Sequence, residues 1–176
     1  MADVYTVVYT LVGILLSLPA LLVALNLLLP NLTGRVHIRL SQTPGRSFFL
    51  GIPITAAFLL WIAITLNVNN GVVKGMGFIG ALVGMGLGTL GAAGMSRLLG
   101  ERLQRISGPT SELSGLVRGA LVYEFACLFP IVGWFLFVPL VGIMVMGAAV
   151  FALLGWLPRP AIANQATAVS QQQASG

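Results

Sequence analysis

Apolar residues run in long blocks between Tyr5 and Leu157, and polar residues gather in the joints between them. The joints fall near Pro30, Ser47, Asn67, Gly75, Arg97 and Leu113. An α-helix needs about 20 mainly apolar residues to cross the hydrocarbon core of a bilayer. The pattern therefore predicts spans over residues 5–29, 47–66 and 72–96, followed by one long block from Leu113 to Leu157. As a single helix that block would extend about 67 Å, twice what a bilayer needs. Pro130 and Gly133 supply a break and divide it into 112–129 and 133–157. Trp134 and Trp156 are then about 33 Å apart along one helix, which sets an indole at each interface. The expected fold is all-α: a polytopic integral membrane protein of four to five transmembrane helices, the last two joined as a tight hairpin. Five spans are favoured over a re-entrant 112–129.

The same reading gives one transmembrane domain over 1–157. The tail, 158–176, is rich in Ala, Gln and Ser with little apolar bulk, and is expected to be disordered. Tyr5 and Tyr9 sit at an interface end of span one, and Pro19 is expected to kink it. The N-terminus lacks a positive region ahead of its apolar run, so span one reads as a retained helix and not as a cleaved signal.

Composition excludes the soluble alternative. The chain is 57% hydrophobic and 7% charged, with a mean hydropathy of +0.99, against roughly 25% charged residues in globular domains. The net charge is +5, and six of the nine basic residues gather in two joints, Arg35, Arg39 and Arg46 in one and Arg97, Arg102 and Arg105 in the other. Read as loops, these set topology by the positive-inside rule and do not form a nucleic-acid surface. The N-terminus and the turn at Asn67–Gly71 then lie outside, and the C-terminus with Arg159 lies in the cytoplasm. The bilayer is the first partner implied.

Candidate chemistry is sparse. Gly80, Gly84, Gly88, Ala92 and Ser96 repeat every four residues in span three, a ridge that lets another helix approach to backbone contact. That helix could belong to this chain, to a second copy or to another membrane protein. Glu124 is the acidic residue well inside an apolar block, and an intramembrane carboxylate is a functional candidate by default. Arg118, six positions away, points to a different helix face, so an arginine from another span or protonation of the carboxyl itself has to satisfy Glu124. The sole histidine, His37, lies between Arg35 and Arg39 and is expected to face solvent or headgroups. With one His and one Cys far apart, no metal cluster can be drawn, and no nucleophile elbow, phosphate loop or catalytic triad appears. No cofactor and no enzymatic activity are expected.

Two segments carry a resemblance. Gln42-Thr43-Pro44-Gly45-Arg46-Ser47-Phe48-Phe49-Leu50-Gly51, and Leu116 through Pro130-Ile131-Val132-Gly133-Trp134 with Gly147-Ala148-Ala149 following, resemble the small multi-spanning membrane regions beside or fused to bacterial polymer-forming (bactofilin-type) domains. The resemblance implies a protein of the bacterial inner membrane and supplies no catalytic residues; no β-helical polymer-forming domain is present in the sequence. The function expected is that of a non-enzymatic structural or accessory component acting through helix packing, as a subunit or partner of a larger envelope complex. The alternative is a small permease or proton-conducting protein using Glu124.

Overall fold

The computed structural model describes residues 2–108 and 111–156. Among them the chain is helical, with no strand: α1 (Ala2–Leu28), α2 (Pro30–Gln42), α3 (Pro44–Asn67), α4 (Gly71–Ser107), α5 (Glu112–Leu128) and α6 (Val138–Leu153). A π-helical turn, Gly133–Phe137, leads into α6. Four stretches are long and apolar enough to cross a membrane: Tyr5–Leu28, Pro44–Asn67, Gly71–Ser107 and Gly133–Leu153. The protein is thus an all-α, multi-pass membrane protein. The tail 158–176 and Arg159 lie outside the described residues.

Two joints expected as loops are helical. Pro30, read as a terminator, occupies the first turn of α2, where its missing N–H has no intrahelical partner to lose. Thr33, Val36, Arg39 and Leu40 of α2 are buried and Arg35, Ile38 and Ser41 are exposed, so this short amphipathic helix lies against the bundle. The second joint is the continuation of α4, which runs 37 residues and carries Arg97, Arg102 and Arg105 on its last turns. That helix starts where the Asn70 side chain accepts the Val72 N–H at 2.9 Å. It stops at Gly108, whose φ of 88° suits glycine alone among common residues.

Helix α4 is the hub and touches each of the other five helices. Close approach comes from missing side chains. A methyl group at Gly91 would stand 2.5 Å from the Val145 carbonyl oxygen of α6, and one at Gly94 would stand 2.5 Å from Val36 of α2. Gly100 lies on the Gly115 carbonyl, and Gly119 lies on that of Ser96. These last contacts show α5 running antiparallel to α4. One buried cluster joins Val36, Leu40, Leu98, Val145, Ala148, Ala149 and Ala152; a second joins Leu22, Ala92, Ala93 and Ala120.

The final block ends differently from the favoured five-span reading. Helix α5 has 17 residues, about 25 Å, short of a hydrocarbon core of about 30 Å. The chain then turns, and Gly133 packs directly on the carbonyls of Ala126 and Cys127. The hairpin itself is present, with the Tyr123 and Phe137 rings edge to face at 5.8 Å. Its second arm returns to the arginine end, where Phe151 and Trp156 stack at 5.6 Å.

Candidate functional site

The groups with chemical potential collect where α2, the end of α4 and the start of α5 meet. Arg97 is the centre. Its Nη2 lies 3.5 Å from Glu112 Oε1 and its Nε lies 3.8 Å from Glu101 Oε1 one helical turn on. Glu101 in turn meets His37 Nε2 at 2.9 Å, linking α4 to α2. The contact is close but off the line a hydrogen bond needs, so its strength depends on the imidazole being charged. His37 is therefore mostly covered, its side chain 15% exposed; of the two surroundings expected for it, solvent or headgroups, it does not meet open solvent. Burial pulls its pKa below the ordinary value, the Glu101 charge pushes it back up, and Arg97 pulls it down.

Polar clefts flank this network. One of about 290 Å³ is lined by Arg97, Glu101, Gln104 and Glu112 with Gly100 and Gly115. Another of about 360 Å³ runs from Arg97 and Glu112 to Asn26 and Pro30. A third of about 270 Å³ lies between α2 and α4, lined by His37, Ser41, Glu101, Arg102 and Arg105. The arginines are not equivalent. Arg39 is buried, its Nη1 donating to the Trp156 carbonyl, whereas Arg35, Arg46, Arg102 and Arg105 are exposed.

Glu124 lies apart from this network. It is 3% exposed, and among the described residues neither carboxylate oxygen has a hydrogen-bond or ion-pair partner. The arginine considered as its partner is not there, and Arg118 is exposed. An uncompensated buried charge is costly, so the neutral acid is the form this environment accommodates.

The glycine ridge is divided among different neighbours. Gly80 packs on Trp61 and Gly84 on Phe58, both of α3, at 3.0 and 3.4 Å from where a methyl would stand. Gly88 faces open space. Ala92 and Ser96 are buried against other helices of the same chain, the Asn26 amide donating to the Ala93 carbonyl at 2.9 Å and reaching Ser96 Oγ at 3.5 Å. No single partner helix can lie along all five residues. Gly91 and Gly94, which stand beside the ridge in the sequence, and Gly100 and Gly119, which the pattern did not include, make the tighter contacts.

Two hydroxyls of the spans are turned to their own backbone, Thr65 donating to the Trp61 carbonyl at 2.7 Å and Thr89 to that of Gly86 at 2.9 Å, whereas the buried Ser47 and Thr55 hydroxyls of α3 make no hydrogen bond among the described residues. Among the described residues no group of His, Cys, Asp and Glu could hold a metal ion. Comparisons with family models, with curated proteins and with solved structures found no match. The resemblance to bactofilin-associated membrane regions accordingly stands on its sequence segments alone.

Proposed function

We propose that the protein is a non-enzymatic membrane component that acts through helix packing, as a subunit or partner of a larger complex in the bacterial inner membrane, its arginine end in the cytoplasm. The observation that carries this reading is a bare apolar groove of about 470 Å³ on the α3–α4 hairpin. Phe58, Trp61, Met76, Ile79 and Val83 line it, and Ile79 is 64% exposed. Such a surface offers an incoming helix shape and dispersion contacts, the terms that drive association in lipid. The partner is a second copy or another membrane protein.

Extraction in mild detergent, read by native gel and mass spectrometry, tests the reading. A stoichiometric partner or a homo-oligomer is expected, and it should be lost in Ile79→Trp/Val83→Trp while the chain stays inserted. A wild-type chain that runs alone would overturn it.

A second reading, a proton-conducting permease, is favoured by the unpartnered burial of Glu124 alone. It requires a pH-dependent flux in liposomes that Glu124→Gln abolishes and Glu124→Asp partly keeps. It is the weaker reading because the polar clefts described above lie at the arginine end, and Glu124 lines none of them.

A further inference from the structure

The third cleft, between α2 and α4, has a composition that the packing of the bundle does not call for. Its two arginines, Arg102 and Arg105, have no acidic partner among the described residues. The carboxylate that also lines it, Glu101, is already held by His37 and Arg97. Arg97 thus offsets the negative charge of Glu101 before any ligand arrives, and His37 adds to this when protonated. At this end of the molecule six arginines stand against the carboxylates of Glu101 and Glu112, so the field is strongly positive.

Position narrows the ligand. Arg97 is the first charge after the apolar run of α4, and Arg102 and Arg105 lie about 7.5 and 12 Å further along the axis. Headgroups occupy a layer of about 5–7 Å outside each face of the hydrocarbon core, and arginine side chains reach back along their stems to it. Ser41 lies three residues before Pro44, where the α3 span begins. Its hydroxyl, which donates to the Ile38 carbonyl at 2.9 Å, can turn to a ligand. The opening thus stands at the membrane surface and not in solution beyond it.

We infer that this cleft binds the phosphate of an anionic lipid headgroup, with Arg102 and Arg105 supplying the charge and Ser41 a hydroxyl. Basic pockets between helices at the cytoplasmic face are suited to such headgroups. The chemistry recognised is a phosphate carrying further polar substituents, and the volume of about 270 Å³ accommodates both.

The test uses the full chain in nanodiscs of phosphatidylcholine with and without phosphatidylglycerol, read by native mass spectrometry of retained lipid and by thermal unfolding. Preferential retention of phosphatidylglycerol and a raised Tm are expected for the wild type. Each direct arginine–phosphate contact is worth about tenfold or more in affinity, so Arg102→Gln/Arg105→Gln should weaken the preference by roughly a hundredfold. Arg102→Lys/Arg105→Lys should keep most of it, which controls for folding. The pair Arg35→Gln/Arg46→Gln removes as much charge outside the cleft, and should cost only the general surface attraction, about fivefold per arginine at most, well below the loss in the cleft pair. Inorganic phosphate added to phosphatidylcholine discs separates the sources. Stabilisation confined to the lipid supports a headgroup site, and equal stabilisation by free phosphate overturns the lipid assignment. Equal losses in the two Gln pairs, or no preference in the wild type, would overturn the cleft itself.

Discussion

The guanidinium carbon of Arg39 lies 4.7 Å over the centre of the Phe151 ring, fastening α2 to the last turn of α6. A buried arginine in this position does two things together: it stacks on Phe151 and it donates to the Trp156 carbonyl. Desolvated cation–π contacts contribute up to about 2 kcal/mol. Arg39→Lys keeps the charge and loses the planar stack, and should lower stability by about 1 kcal/mol. Arg39→Ala should lower it by about 2 kcal/mol or more, because the carbonyl also loses its donor. Thermal unfolding in detergent checks both; a lysine variant as stable as wild type would show that the stack contributes nothing.

Two glycines separate contact from mere spacing. A methyl at Gly119 would press into the Ser96 carbonyl, whereas one at Gly88 meets nothing. Gly119→Ala should destabilise by about 1–3 kcal/mol, the range for overpacking. Gly88→Ala should be neutral or stabilising by up to about 1 kcal/mol through helix propensity. The measurement is the melting temperature of each variant, and the reverse order would contradict the α4–α5 packing.

His37 gives a pH signature. Its pKa in the folded protein is lowered from 6.5, mainly by burial. The unfolded chain therefore takes up the proton first as pH falls, and folding loses stability from about pH 6.5 downward until the folded-state pKa is passed. His37→Gln should remove this loss. Glu101→Gln should deepen it, since the Glu101 charge is what raises the histidine. A Tm-against-pH profile of the three proteins decides; identical slopes below pH 6.5 would sink the assignment.

For Glu124 the expected outcome of substitution is gain. A buried polar group without a partner carries a penalty of about 1–3 kcal/mol. Glu124→Leu should raise the unfolding temperature, and Glu124→Gln should leave it nearly unchanged. A large fall in the leucine variant would mean that the carboxyl has a partner that burial conceals.

Much of the fold was legible because lipid imposes length on apolar runs. The spans near 5–29, 47–66 and 133–157 match α1, α3 and the turn with α6 within a few residues. What was missed was polar. Pro30 and Asn31 read as an ending, yet proline also starts helices, and Thr33, Val36 and Leu40 at helical spacing were the available sign of α2. Likewise Arg97 and Glu101, four apart, signalled that α4 continues. The glycine ridge misled for a geometric reason. A four-residue step on a helix with 3.6 residues per turn drifts about 40°, so Gly80 and Ser96 end on nearly opposite sides. His37 could not be read at all, since its partner Glu101 is brought to it only by folding.

The shortness of α5 also governs how the protein is made. Of its acidic and basic residues, Glu112, Arg118 and Glu124, Arg118 lies nearest the helix centre, where a charge costs about 2.5–3.5 kcal/mol on entering the bilayer alone. Helix α5 lacks the drive to leave the translocon by itself. It needs the small-residue face of α4 around Ser96 and Gly100 to be waiting, and the apolar turn and α6 to follow it in. The expected order of assembly therefore places the last two helices together, onto a completed α4.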